Sequence, residues 1–287
     1  MTQTPIGITG ATGKVGRLLV AELDNAEVPM RLIVRDPARI PGDFGEHASA
    51  QASYGDAAAL RRAFEGLETV FMVSAAESAN RVAEHFSVID AARSAGVHRV
   101  VYLSFVGADE GAAFTLARDH AKTEQYLRDS GLQFTILRDN LYQHAFAAFT
   151  GTDGVIRGPA DDGRVGAIAH RDVAASAAAV LTAGGRFDSE TFTLTGPRTY
   201  SLSEAAEQLG RVAGRTISYH AETEDYESRE HFGAPRWEVT GWISSYLAIA
   251  AGEMDVVTDD VLRLTGRQPI DFAQYLAENP RDYKRLG

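Results

Sequence analysis

Residues 5–17, Pro-Ile-Gly-Ile-Thr-Gly-Ala-Thr-Gly-Lys-Val-Gly-Arg, run from an apolar stretch through three glycines into a helical pattern. Ile6 and Ile8 read as a buried strand, and Val15, Leu18, Leu19 and Leu23 recur at the spacing of one helix face. Between them Gly10, Gly13 and Gly16 spell Gly-x-x-Gly-x-x-Gly. At a strand-to-helix turn, one such glycine lets the chain leave the strand sharply, one admits phosphates against backbone N–H groups, and one lets helix and strand pack closely. An ordinary glycine turn is the plain alternative, and the flanking strand and helix patterns argue against it.

The next apolar run, Met-Arg-Leu-Ile-Val-Arg-Asp-Pro (30–37), is a second strand whose end would face the adenosine ribose of a dinucleotide. Arg35 stands at that end. A carboxylate there would select NAD through the ribose 2′-hydroxyl, whereas a guanidinium offers a planar fork to a 2′-phosphate, so the expected cofactor is NADP(H), with NAD(H) at lower affinity. Asp36 either turns outward as a cap before Pro37 or competes for the hydroxyl. Lys14 adds a second cation beside the phosphates; Arg39 is a third or a solvated charge at a helix start.

Further along, 48–54 reads as a third strand closed by Tyr54-Gly55-Asp56, where Asp56 approaches the adenine, caps the following helix, or does both. Thr-Val-Phe-Met-Val (69–73) is a continuous apolar strand of the kind covered on both faces, followed by the small residues Ser74, Ala75 and Ala76, which leave room for a ribose and nicotinamide. A helix over 80–95 leads to a strand at 99–103 with Ser104 at its end. A helix from about Thr115 or His120 to Ser130, closed by Gly131, and a strand at 133–137 complete six strand–helix repeats. This alternation predicts an α/β fold, a Rossmann-type doubly wound parallel sheet with right-handed crossovers and a ligand crevice at its carboxyl edge. The expected division is a dinucleotide-binding domain over 1–150 and a smaller mixed substrate-covering lobe over 151–287, with a soft boundary and a shared sheet. In the lobe we expect strands at 165–169 and 191–194, a helix after Asp172, and helices at 203–213 and 235–251.

The chain of 287 residues is long enough for a substantial core, and its formal charge of −11 argues against nucleic acid as a partner. It has no cysteine, which excludes disulfides, thiolate catalysis and cysteine metal sites. The eight histidines are scattered without metal-ligand spacing, so no metal is expected. No apolar run long enough for a membrane span and no secretory signal pattern is present, which points to the cytoplasm. Lysine occurs only at 14, 122 and 284, and two of these fall in candidate site segments.

The segments Thr-Gly-Ala-Thr-Gly-Lys-Val-Gly (9–16), Ile-Val-Arg-Asp-Pro (33–37), Tyr-Gly-Asp (54–56), Ala-Ala-Arg-Ser-Ala-Gly-Val (91–97) and Leu-Arg-Asp-Asn-Leu-Tyr (137–142) together resemble the NmrA-like atypical short-chain dehydrogenases. Within that group the chain is most similar to the NAD(P)H-dependent quinone oxidoreductases and triphenylmethane reductases, down to Asp119-His120, Thr123-Glu124 and Leu264-Thr-Gly-Arg267. The resemblance implies NADPH held by Thr9, Gly10, Ala11, Thr12, Gly13, Lys14, Val15 and Arg35. It places the nicotinamide near Ser74, Ala75 and the segment from Arg138 to Tyr142, including Asp139 and Asn140; Ser104, at its strand end, is a further candidate for cofactor contact. Two departures stand out. The usual Tyr-x-x-x-Lys pair is missing, and the sixth-strand arginine is followed by Asp139 where relatives carry asparagine, with Asn140 one residue later.

Hydride transfer to a quinone needs the donor carbon held against the acceptor and a partner for the charge that develops on oxygen, so the missing tyrosine acid is tolerable. Lys122, where isoflavone-reductase-type enzymes place a lysine, is the first candidate to assist at the acceptor or the cofactor ribose; the plain alternative is a surface ion pair. Tyr142 is the second donor candidate, with a pocket-wall tyrosine as its alternative. His120 and His144 are candidates for substrate contact, though helix histidines are more often structural. The expected function is NADPH-dependent reduction of a quinone or similar conjugated electrophile, with a small-molecule acceptor as partner and a monomer or homodimer as the assembly. The alternative is a non-catalytic NAD(P) sensor acting on a protein partner; Lys122 and the lobe's Tyr226, Phe232, Trp237 and Trp242 favour an enzyme.

Overall fold

The computed structural model describes residues 4–223, 229 and 233–287; Tyr226 and Phe232 lie outside the described residues. In chain order the elements begin with β1 (Ile6–Thr9), α1 (Lys14–Asn25), β2 (Met30–Val34), β3 (Ala48–Gln51), α2 (Ala57–Phe64), β4 (Thr69–Val73), α3 (Arg81–Ser94) and β5 (Arg99–Phe105). There follow α4 (Thr115–Asp129), β6 (Gln133–Asp139), α5 (His144–Phe149), β7 (Val155–Gly158), β8 (Arg164–Val165), α6 (His170–Thr182) and β9 (Thr191–Leu194). The last are β10 (Tyr200–Ser201), α7 (Leu202–Ala213), β11 (Ser218–Ala221), α8 (Arg236–Ala250), α9 (Asp260–Thr265), α10 (Phe272–Glu278) and α11 (Pro280–Tyr283).

Among the described residues the main sheet has seven strands in the order β3-β2-β1-β4-β5-β6-β9. β3, β2, β1, β4 and β5 pair in parallel, with Ile6 opposite Met30 and Gly7 opposite Val70. This is the doubly wound order, and its direction reverses between β1 and β4, where such sheets open a crevice at their carboxyl ends. Burial explains the sequence pattern: all four residues of β1 are buried, as are Val70, Phe71 and Met72 of β4, because helices cover both faces. On one face Leu60 and Phe64 of α2 and Val88 and Ile89 of α3 pack with Val70, Met72, Val100 and Tyr102. α1 turns Val15, Leu19, Val20 and Leu23 inward and packs against the alanine-rich α6. At Gly7 a Cβ would lie 2.6 Å from the tip of the Leu67 side chain, which would have to shift to admit it.

The contacts group the chain into two compact units. The first is Met1–Phe105, Asp119–Arg138 and His170–Phe192; the second is Val106–Arg118, Asp139–Ala169 and Thr193–Gly287. Within the second, β7 pairs in parallel with β11, and β8 antiparallel with β10. Its core includes Phe146, Tyr200 and Phe272, whose rings meet edge to face. Ser201 and Glu204 form a capping box at the start of α7.

Several expected elements come out differently. Between β2 and β3 only short 3-10 turns occur, because Pro37, Pro41, Gly42 and Gly45 interrupt any helix, so the alternation is incomplete there. β3 stops at Gln51 and leaves Tyr54 in the following turn. The strand expected over 165–169 shrinks to Arg164–Val165; beyond it Ile168 exchanges backbone hydrogen bonds with Leu141 and Gln143. α6 begins at His170 and carries Asp172 in its first turn, where the helix dipole favours a carboxylate.

Candidate cofactor site

The loop from β1 to α1 is built around its glycines. Gly10 has φ +64°, a left-handed conformation that strains other residues, and its carbonyl accepts the Gly13 N–H at 2.9 Å. At Gly16 a Cβ would sit 2.1 Å from the Gly10 oxygen, so helix and loop can approach only over a bare α-carbon. Gly13 is the N-cap of α1, extended and without any side-chain cap, which leaves the first turn's N–H groups without a side-chain acceptor. Ala11 and Val15 are buried, Thr12 is half-buried, and Gly13 and Lys14 are exposed. Arg17 Nε donates to the Thr12 carbonyl at 3.0 Å and pins the loop. Such a cradle, with open N–H groups and the positive end of a twelve-residue helix, fits a pyrophosphate.

Thr9 is fully buried and does a different task. Its hydroxyl donates to the Phe71 carbonyl and accepts the Val73 N–H, each at 3.0 Å, while the Tyr54 hydroxyl lies 2.7 Å from it and 2.6 Å from the Val73 carbonyl. These bonds weld the carboxyl ends of β1 and β4 together at the reversal of strand order. Burial pushes the Tyr54 phenol above its usual range, which keeps it protonated.

At the end of β2 the Arg35 side chain is exposed while its carbonyl is held by Gln51 Nε2 at 3.0 Å. Asp36 turns outward: its carboxylate accepts the Ala38 N–H at 3.0 Å and caps the turn begun by Pro37. Asp56 likewise accepts the Ala59 N–H at 2.9 Å and caps α2. Of the two alternatives left open for Asp36, the structure shows the cap.

Beyond β4, Ser74 and Ala75 are half-buried. Ser104, at the end of β5, is buried and donates to Glu124 Oε1 at 2.6 Å. Glu124 has no exposure and is balanced by Arg138, through Nε at 2.8 Å and a second nitrogen at 2.6 Å, and by Arg128 at 2.9 Å. The Ser104 hydroxyl is therefore engaged with this buried carboxylate. Lys122 is exposed on α4 and has no hydrogen bond or ion pair among the described residues. His120, on the same helix, is buried and not exposed to substrate.

Asp139, Asn140 and Tyr142 belong to the second unit. The Tyr142 hydroxyl donates to the buried Asp139 carboxylate, and burial together with that carboxylate raises the phenol well above its usual range. Asn140 is fully buried, donating to the Met254 carbonyl at 3.1 Å and accepting the Leu141 N–H at 2.7 Å. Among the described residues no group of three or more metal-ligating side chains is placed to hold an ion, and no helix is long and apolar enough to cross a membrane.

Sequence reasoning passed over Tyr54 as a bonding group, and over Arg81 and His85. The available signal was Arg81-x-x-x-His85, two polar groups one turn apart on the helix face that also carries Val88, Ile89 and Ala92.

Residues 10–184 match the NAD(P)H-binding family. Quinone oxidoreductase 2 of Escherichia coli is 34% identical over 220 residues, which cover 75% of this chain and 76% of that protein. The solved NADPH-dependent quinone oxidoreductase of Escherichia coli in complex with NADPH superposes with a TM-score of 0.87 at 30% identity, covering 95% of this chain and 99% of the other. The Citrobacter triphenylmethane reductase complexed with NADP(H) gives 0.81 at 27% identity, over 94% and 98% of the two chains. A glycine cradle at the sheet's switch point, matched over more than half the chain, places this protein in the NAD(P)H-binding family, among its NmrA-like NAD(P)H-dependent oxidoreductases.

Proposed function

We propose that the chain is an NADPH-dependent reductase that delivers hydride to a quinone or a similarly flat, conjugated electrophile. The observation that carries this reading is the uncapped, glycine-built start of α1 with the exposed Arg35 guanidinium at the end of the adjacent strand β2. Similarity to a quinone oxidoreductase at 34% identity supports the acceptor class.

In this reading the backbone from Gly10 through Ala11, Thr12 and Gly13 to Lys14 and Val15 wraps the pyrophosphate. Arg35, with Lys14, pairs with the 2′-phosphate, and Asp36, occupied as a cap, does not compete. Asp56 borders the adenine while capping α2. Ser74 and Ala75 line the nicotinamide ribose. Thr9 and Ser104 act from behind the site, the first by fastening β1 to β4 and the second by anchoring Glu124.

Bound NADPH supplies the hydride. A quinone takes it into a conjugated ring and becomes a hydroquinone on gaining one proton, so the protein need only steady the developing oxyanion. Lys122 is the proposed group for that task, since its ammonium is exposed and not spent on a carboxylate. Tyr142 is a poor acid while it donates to Asp139, so proton delivery is not assigned to it; Asn140 fixes the chain between the two.

The test is steady-state oxidation of NADPH, with NADH in parallel, against benzoquinones, naphthoquinones and cationic dyes, with enzyme-free controls. Saturable turnover favouring NADPH is expected. Tight NADPH binding without turnover on any acceptor would replace the reductase by a dinucleotide-responsive binding protein.

A further inference from the structure

The turn after β4 is held by two side chains of α3 acting on one peptide unit. The Ala75 N–H donates to His85 Nε2 at 2.8 Å, and Arg81 Nε donates to the Ala75 carbonyl at 3.1 Å. Because Nε2 of His85 accepts, the neutral ring carries its proton on Nδ1, which donates to Thr123 Oγ1 at 2.8 Å; Thr123 donates onward to the Asp119 carbonyl at 2.7 Å. Arg81 is 4% exposed, and it also meets His120 Nε2 at 2.9 Å and the Asp119 carboxylate at 3.6 Å. His120 in turn donates from Nδ1 to the Tyr102 hydroxyl at 2.8 Å. Burial, reinforced by Arg81, keeps both rings neutral: His85 is lowered to about 3 and His120 well below its ordinary value.

Burying a guanidinium and two imidazoles costs solvation that is recovered only when every group is bonded. Here the chain of bonds converges on Ala75, in the turn that leaves the sheet beside its switch point. We propose that Arg81 and His85 are positioning residues for the nicotinamide half of the cofactor, acting through the Ala75 peptide, whose fixed orientation sets the shape of the Ser74–Ala76 turn. The proposal rests on the dinucleotide reading of the site and extends it to residues that do not touch the ligand. One consequence is that the Ala75 N–H is spent inward and is not a donor to whatever lies over the turn.

The experiment measures dissociation constants for two probes, NADPH and adenosine 2′,5′-bisphosphate, which lacks the nicotinamide half. It uses the unchanged protein and His85→Phe, Arg81→Met, Thr123→Val and His85→Gln. Loss of one such buried bond is expected to weaken NADPH about tenfold in His85→Phe and Arg81→Met, while the bisphosphate changes less than about twofold. Thr123→Val moves the same way by less and decides the matter if the two larger changes prevent folding. His85→Gln, whose amide oxygen can accept from Ala75, is expected to stay near the unchanged protein. Amide exchange at Ala75 supplies a readout without ligand: faster in His85→Phe, restored in His85→Gln. Parallel weakening of both probes, or unchanged NADPH affinity despite faster exchange at Ala75, overturns the proposal. Failure of the unchanged protein to bind either probe overturns the dinucleotide reading itself, a result separable from the other two.

Discussion

Arg35 shows how much one side chain decides when its neighbours are already committed. Asp36 could have met a ribose hydroxyl, but its carboxylate is tied to the Ala38 N–H, which leaves the exposed guanidinium as the group at the end of β2. Arg35→Ala is therefore expected to weaken NADPH by about tenfold or more and NADH by less than about twofold, since a charge-assisted bond to phosphate is worth more than one to a hydroxyl. Fluorescence titration with both cofactors checks this, and equal losses would remove Arg35 from the 2′-phosphate. Arg35 was legible in the sequence because strand ends are set by a local pattern. The capping by Asp36 was legible only as one of two alternatives, since the choice depends on the direction in which the turn after Pro37 leaves the strand.

At the level of elements, α3 and α4 meet across a polar seam. His85 is fully buried and has Arg81, Thr123, Asp119 and His120 around it, with Arg138 also acting on His120. The unfolded chain takes up a proton on His85 as pH falls through about 6.5, while the folded chain does not until about 3. The unfolded state thus binds more protons across that window, so stability is full above pH 6.5 and declines as pH falls, by up to about 1.4 kcal/mol per pH unit from this group. His120 contributes in the same direction. Urea unfolding at several pH values should show a shallower decline in His85→Gln than in the unchanged protein between pH 6.5 and 4.5; identical slopes would mean that His85 is not held neutral by the fold. Both helices were expected from the sequence, each ending at a glycine. The seam was not, because a histidine or arginine on an apolar helix face reveals neither its partner nor its burial until the facing helix is in place.

For the whole molecule, a ligand that binds only the folded state adds stability by mass action, about 2.7 kcal/mol at a concentration one hundred times its dissociation constant. At equal concentration NADPH is expected to raise the thermal midpoint more than NADH does, and Arg35→Ala should abolish the difference. Equal rises in the unchanged protein would contradict the preference for the 2′-phosphate. The two units interleave: the first resumes at Asp119–Arg138 and again at His170–Phe192 after excursions into the second. β9 and α6, which complete the sheet and cover α1, therefore come from sequence far beyond the glycine loop.

The amino-acid sequence by itself determined the fold class, the glycine cradle, the strand ends that carry Arg35, Ser74 and Ser104, and the family, because each is written in short-range pattern. Strand burial, helix periodicity and turn glycines all act within a few residues. Only the tertiary structure decided which polar groups are spent. Thr9 and Tyr54 are consumed in joining β1 to β4, Ser104 in anchoring Glu124, Tyr142 in bonding Asp139, and Arg81 and His85 in fixing Ala75. Those assignments depend on partners 3 to 64 residues away in the chain. A buried donor or acceptor must find a partner wherever packing places one, and local sequence does not carry that information.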